Sequence, residues 1–399
     1  MEKTYNTQLK VIHFVTDEKF INGSIAFLNE IDGLDNEFLI YSKKTSFEYV
    51  SLEQIKRVDE TYVKSIITNP EACDVIVIHG LSSLPCRFIM QITNEIKVVW
   101  FSWGYDIYSN SYPQFPLVKI KNRIKPETLD IKNKIYYYFK RFVKQYLKRF
   151  LNIKGGGRLE FIQAVHRMDY FSGVFSIEYD LVKENPFFRA KPVSYSYVSL
   201  NIKDLYKKED ILNYTQPQGD NIQVGNCAAI LGNHRTTFNR LNKLDLKDRK
   251  IITPLSYGSR KIYVNSVCNS GYKLFGENFI PLIEFMPKDE YFQYMSSVSV
   301  AIFNIEQQGA AGNIRMSLWN GVMVFLPEDS IGLKYFKSLG FHIFSIEKDL
   351  TQDNIDKGLS KEQVIENRRL MCQTTSYEVL KENVNNTFGI IFKDIKNHF

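Results

Sequence analysis

The stretch Glu306-Gln307-Gln308-Gly309-Ala310-Ala311-Gly312-Asn313 combines two glycines, three side-chain amides and a carboxylate between two short apolar runs. Those types suit an anionic, hydroxyl-bearing ligand. Glycine lets a backbone turn tightly and approach a ligand closely. Asn313 is a plausible helix N-cap, and a helix start offers free N–H groups and a positive dipole end to an anion. Val300–Asn304 and Val322–Leu326 flank the segment as β-branched and aromatic strands, with about two helical turns ending at Asn320-Gly321. Strand, small-residue loop, helix and strand is the arrangement that holds a diphosphate in doubly wound sheets. The same pattern also serves as a plain βα turn with no ligand.

The elements around this stretch repeat the alternation. Val11–Val15, Phe38–Tyr41, Val75–His79 and Val98–Phe101 read as strands, with Ile21–Ile31 and Pro85–Glu95 helical between them. Gly173–Ser176 and Pro192–Val198 complete the first half. Ile222–Asn226, Ile251–Leu255 and Phe279–Phe285 restart the pattern in the second. Alternation of this kind implies an α/β fold of parallel sheets covered by helices on both faces. The polar stretch 201–220 reads as a linker. Domains are therefore expected at 1–200 and 221–375, followed by a C-terminal helix at 376–399.

Ligands of such sheets sit beyond the carboxyl ends of the strands. In the first half those ends collect His13, Asp17, His79, Gly80, Trp103, Gly104 and Asp106. In the second they collect Gly225, Asn226, Asn233, His234, Tyr257, Gly258 and Glu284, besides the opening loop. Each has an ordinary alternative. A histidine on an apolar strand is often a satisfied core residue, and Asp106 can simply cap the next turn.

With 399 residues and 44% hydrophobic content, the chain can bury a core in each of two domains. It holds no apolar run long enough to span a bilayer, and MEKTYNTQLK lacks a signal-like apolar region, so cytoplasmic residence is expected. Five scattered cysteines without CxxC spacing read as buried thiols. The net charge of +7 is concentrated. Leu117–Lys154 carries twelve Lys and Arg against Glu127 and Asp130, leaving the rest of the chain at −3. Ile135, Tyr138, Phe139, Phe142, Val143, Tyr146 and Phe150 recur there at helical spacing. A basic helix with an aromatic stripe suits an anionic membrane surface. Packing against the core with a solvated basic face is the alternative, and no nucleic-acid module accompanies it.

Two doubly wound domains whose strand-end loops face a cleft can hold one substrate each. The glycines of the second suit a nucleotide diphosphate, and the ionisable and aromatic groups of the first suit a hydroxylated acceptor. This division fits a GT-B glycosyltransferase. His79-Gly80, Trp100–Tyr108 (WFSWGYDIY), Val224-Gly225-Asn226 with Asn233-His234, and Glu306–Gly309 (EQQG) extend the likeness. In these residues the chain resembles the TDP-N-acetylfucosamine:lipid II N-acetylfucosaminyltransferase family, over most of Val11 to about Phe336.

The resemblance implies a nucleotide diphosphate sugar as donor, TDP-linked by preference with GDP- or UDP-linked possible. It also implies a polyprenyl-diphosphate-linked glycan as acceptor, no metal, and a site on the inner face of the plasma membrane. No Asp-x-Asp occurs in the chain, so the expectation is that no cofactor or metal is required. Helix N-terminal N–H groups, His234, Arg235 and Arg260 would then stabilise the departing diphosphate. Where GT-B transferases carry an acidic residue in the first turn of the donor helix, this chain has Asn313-Ile314-Arg315, which leaves Glu306 as the nearest carboxylate. Asp106 is the expected base in an inverting reaction, with Asp17 and His79 behind it. Two other readings remain open from sequence: a GT-B enzyme acting on a soluble or protein acceptor, and a non-enzymatic nucleotide- or glycan-binding module.

Overall fold

The computed structural model describes residues 8–108, 117–120, 123–129, 158–213, 217–258 and 261–397. The core of the basic segment, with its aromatic stripe, and Arg260 lie outside the described residues. The chain forms two compact α/β units.

The first unit is built on seven parallel strands: β1 (Leu9–Phe14), β2 (Leu34–Tyr41), β3 (Lys56–Val58), β4 (Val75–His79), β5 (Lys97–Phe101), β6 (Tyr170–Ser172) and β7 (Lys191–Pro192). Their order is β3-β2-β1-β4-β5-β6-β7. The strand order reverses between β1 and β4, where Val11 pairs Val75 and His13 pairs Val77, so the loops after these strands flank a topological switch point. Every residue of β4 is buried, as expected of a central parallel strand covered on both faces. Sequence placed the sixth strand at Gly173–Ser176. It is instead Tyr170–Ser172, because Gly173 sits against the Glu178 side chain in the following turn.

The last helix, Tyr377–Lys396, belongs to this unit rather than to a separate domain. It buries Leu380, Val384, Phe388 and Ile391 along one face. Thr387 Oγ1 accepts from Ser194 N at 3.1 Å, and Asp394 pairs with Lys191 at 3.0 Å.

Six parallel strands make the second sheet: β8 (Asn221–Val224), β9 (Ile251–Pro254), β10 (Phe279–Leu282), β11 (Val298–Ile302), β12 (Met323–Leu326) and β13 (Phe344–Ser345). The order is β10-β9-β8-β11-β12-β13, with the switch point between β8 and β11. Ile222, Val224, Phe238, Val267, Val300, Ile302 and Phe325 form its core. Leu129 joins that core, with Ile124 packed against it. Of the described part of the basic segment, residues 123–129 therefore pack on the second unit, whereas Leu117 and Val118 stay with the first, Val118 N donating to Ile107 O at 3.1 Å. Sequence assigned the whole segment to the first, because nothing in a sequence position fixes which sheet a crossover segment will cover. Arg368 fastens the entry to this unit by donating to the carbonyls of Asp210 and Trp319, at 2.5 and 2.7 Å. Among the described residues, no helix is long and apolar enough to cross a membrane.

Candidate functional site

At the carboxyl edge of the first sheet, the candidate carboxylates and histidines mostly pair within the chain, while Thr16 Oγ1 and His79 Nδ1 stay buried without a partner among the described residues. Asp106 is 0% exposed. It accepts from Trp100 Nε1 and Ser102 Oγ, both at 2.8 Å, from Trp103 N at 3.1 Å and from Leu81 N at 3.2 Å. Burial raises its carboxyl above the ordinary value, against the pull of those donors. With both oxygens engaged and no access to solvent, Asp106 ties the β4 loop to the β5 loop and does not present the open base expected from sequence. Asp17 is used in a similar way. Its oxygens accept from the backbone N–H groups of Glu48 and Tyr49 at 2.9 Å and of Val50 at 3.3 Å. Burial pushes its carboxyl up, but these amides and Lys44 hold it below the ordinary value.

His13 and His79 are core residues. Asn36 donates its amide to Leu28 O at 3.0 Å, so its Oδ1 accepts from His13 Nε2 at 2.9 Å. His13 Nδ1 is then an acceptor, and His79 Nε2 donates to it at 3.0 Å. This assignment requires a neutral His13 ring. Burial agrees, pushing His13 down to about 4 and His79 well below its usual range. His13 stacks on Phe38 with centroids 4.5 Å apart. Neither ring reaches solvent, so His13 as an acceptor contact and His79 as a base are both corrected.

The aromatic shelf is present. Gly80 has φ +75°, and a Cβ there would lie 2.5 Å from Trp103 Cδ1. Its absence lets the indole lie across the end of β4, where Nε1 donates to His79 O at 3.2 Å. Trp103 stacks on Tyr197 at 3.7 Å and 19°. Gly104, with φ +82°, turns the chain into Asp106. Sequence reasoning missed Glu18 beside this shelf. It is half-buried, and its carboxylate has no hydrogen-bond partner among the described residues. Burial raises it above the ordinary glutamate value, partly offset by Lys19 and reinforced by Asp17 and Glu48. A raised, unpaired carboxyl at a strand end is the chemistry of a general base. The signal was available, since Glu18 directly follows Asp17 in the loop after β1.

The second edge is built differently. Non-glycine residues with left-handed backbone sit on both sides of its switch point, Asn233 (φ 47°) after β8 and Ala310 (φ 54°) after β11, with Gly225 (φ 71°) nearby. Such conformations cost roughly 1–2 kcal/mol for a residue with a Cβ and concentrate at functional sites. The donor helix runs Ala311–Trp319 behind Ala310. Asn313 therefore lies in the first turn and is not the N-cap. Gly312 has open space where a Cβ would be, so the tight turn expected of Gly309 and Gly312 is made by Ala310 instead.

His234 is also corrected. Its ring occupies the room that Cβ atoms on Gly225 and Gly232 would need, at 2.5 and 2.9 Å. Nδ1 lies 3.0 Å from Tyr263 Oη, and burial pushes the ring down to about 4. It props the glycine turn as a neutral ring and brings no positive charge to a phosphate. Asn233 is used up as well. Oδ1 accepts from Lys125 N at 2.8 Å and Thr128 Oγ1 at 2.5 Å, while Nδ2 donates to Asn304 O at 2.9 Å and Arg123 O at 3.0 Å. Glu306, 6% exposed, pairs through Oε1 with Lys125 Nζ.

Several polar atoms here remain open. Nε and Nη1 of Arg235, Oδ1 of Asn304 and Oε1 of Gln307 are buried with no partner among the described residues. Gln307, Gln308, Gly309 and Asn226 are half-buried around them. Leaving such atoms bare costs about 1–3 kcal/mol each; the Arg235 N–H groups are complemented by anionic oxygens and the two amide oxygens by hydroxyl donors, a combination that a sugar phosphate carries. Tyr257 is 48% exposed and Phe285 92% exposed at the ends of adjacent strands. Gly258, with φ +111°, brings the Tyr257 loop against Ala228, whose N–H donates to Tyr257 O at 2.7 Å. Sequence ran β10 on to Phe285, but the strand stops at Leu282, and Glu284 falls in an exposed loop. Among the described residues, no three His, Cys, Asp or Glu side chains gather as a metal site.

No protein-family profile matches the chain, and no curated protein does. Solved structures resemble it over almost its whole length. A glycosyltransferase from Rickettsia africae is 12% identical over 97% of this chain and 99% of its own, with a TM-score of 0.61. HepE from Anabaena, solved with UDP and glucose, is 10% identical over 96% and 100%, with a TM-score of 0.58. An O-GlcNAc transferase mutant from Thermobaculum terrenum is 12% identical over 99% of this chain and 69% of its own, at 0.55. Together with the two parallel sheets, these likenesses define the fold as GT-B.

Proposed function

We propose that the protein is a GT-B glycosyltransferase that moves a sugar from a nucleotide diphosphate to a hydroxylated acceptor. The observation that carries this reading is the set of buried, unpartnered polar atoms of Arg235, Asn304 and Gln307 at the second switch point. A guanidinium with bare N–H groups is matched by a phosphate, and the exposed Tyr257 and Phe285 rings offer apolar surface for a base. In the reaction, the acceptor oxygen bonds to the anomeric carbon. The bond from that carbon to the diphosphate breaks, and its electron pair stays on the leaving nucleoside diphosphate. The hydroxyl proton passes to a base, for which Glu18 is the first unit's candidate if the transfer inverts the anomeric centre. No metal is assigned, since Arg235 meets the diphosphate charge.

The finer reading follows the resemblance: a TDP-linked 6-deoxy amino sugar as donor, a polyprenyl-diphosphate-linked glycan as acceptor, and a peripheral site on the cytoplasmic membrane face. The twelve Lys and Arg of residues 117–154 support the membrane surface. The test is a thermal-shift panel of TDP, UDP and GDP on wild type and Arg235→Met. A diphosphate at a hundred times its Kd adds about 2.7 kcal/mol. One diphosphate should stabilise the wild type selectively, and the variant should bind it roughly 10–100-fold more weakly, the worth of a charged hydrogen bond. Silence across the panel would remove the donor site.

A further inference from the structure

The cation nearest the carboxylate of the donor loop comes from outside the donor half of the sequence. Lys125 belongs to the stretch 123–129, separated from β8 by most of the first unit's later elements. It is fixed in three ways. Asn233, itself held left-handed, clamps the backbone on both sides of residue 124 by accepting from Lys125 N and donating to Arg123 O. Thr128 Oγ1 donates to the same Asn233 oxygen. Leu129 is sunk in the core with Val224 and Ile302, the last residues of β8 and β11. The Lys125 side chain then reaches Glu306, the first charged residue of the loop after β11.

The Lys125–Glu306 pair is open to water on one side only. Glu306 is nearly fully buried at 6% exposed, while Lys125 keeps 23%. The ammonium has three donors and spends one on Glu306, so further N–H groups can face a ligand lying over the loop. The same Asn233 side chain donates to Asn304 O at 2.9 Å, two residues beyond β11, and so joins that loop to the strap.

We propose that residues 123–129 are a strap that completes the donor site, and that Lys125 contacts the diphosphate of the nucleotide, with Glu306 as the residue that positions it. This rests on the donor reading above and adds a cation that neither glycine loop supplies. As the bond to the anomeric carbon breaks, the negative charge that develops on the leaving diphosphate meets a preplaced ammonium.

The experiment compares binding of the tightest of TDP, UDP and GDP with binding of its nucleoside, by calorimetry. The variants are Lys125→Met, Lys125→Arg and the double variant Lys125→Met with Glu306→Gln. The double variant removes both charges together, so no bare carboxylate is left buried to unfold the chain. Lys125→Met and the double variant should raise the diphosphate Kd at least tenfold while leaving the nucleoside Kd within twofold, and Lys125→Arg should recover most of the loss. A merely structural lysine would lower Tm without changing that discrimination. If wild type binds a diphosphate and the double variant binds it equally well, the strap assignment is wrong and the donor site stands. If wild type binds none of the three, the donor reading falls and the strap falls with it.

Discussion

The two carboxyl edges of this molecule use similar residue types to opposite ends. In the first unit, Asp106 takes four donors, Asp17 takes three backbone amides, and His13, His79 and Asn36 form one neutral chain. Glu18 alone of the candidate acids there keeps its carboxylate unpaired among the described residues. In the second unit, Asn233 and Glu306 are engaged, but Arg235, Asn304 and Gln307 keep buried atoms bare. A site whose acids are mostly paired is held in place and can still offer one reactive group, although Thr16 Oγ1 and His79 Nδ1 stay bare there. A site that leaves donors and acceptors unpaired gives up stability for a ligand that will pair them. In the proposed reaction, acid–base chemistry falls to the first edge and anion recognition to the second.

The largest effect that would sharpen this contrast is expected at Glu18. Glu18→Gln removes the proposed base and should lower kcat by roughly 10²–10⁴-fold with little change in Tm, because its carboxylate holds nothing in place. Transfer at wild-type rate by this variant would end the assignment.

Asp106→Ala should act in the opposite sense. It strands four buried donors and should cost roughly 3–5 kcal/mol of stability in urea unfolding. If the unfolding midpoint stays at the wild-type value while transfer disappears, Asp106 is catalytic after all, and the contrast between the edges is wrong.

Glu178 offers a smaller, pH-dependent test of the first unit. It is fully buried, accepting from Tyr108 Oη at 2.6 Å and Phe175 N at 2.9 Å. Burial pushes its carboxyl up to about 7 despite these donors. Its folded value lies above its unfolded one, so the folded state binds the extra proton. Stability should therefore fall as pH rises from about 4.5 to about 7, by roughly 3 kcal/mol in total. Glu178→Gln should flatten this part of the profile. A wild-type curve already flat there would show that the carboxyl ionises normally.

Much of the frame was legible in the sequence. Short continuous apolar runs such as Val75–Ile78, bounded by turn residues and rich in β-branched side chains, read as buried parallel strands, and the alternation of strand and helix pointed to two doubly wound units. The strand ends then marked the loops that hold the candidate residues. Side-chain roles within those loops were less legible. Asp17 and Glu18 are neighbours with the same charge, yet one is tied to residues 48–50 and the other is not. That difference depends on where a distant loop lands. Glycine misled in the same way. Gly309 and Gly312 marked the donor loop, but the left-handed turn fell on Ala310.

Local pattern thus determined the strands, the glycine-rich turns and the concentration of positive charge, because periodicity and steric limits act over a few residues. Tertiary structure alone decided which polar groups are satisfied and which stay open, because the partners come from far along the chain. Asn233 meets Lys125 and Asn304, Glu306 meets Lys125, and Asp106 meets Leu81. It also decided that residues 123–129 pack on the second unit and that the last helix returns to the first. Burial and pairing are sums over the whole fold, and chemistry at these two edges is set by those sums.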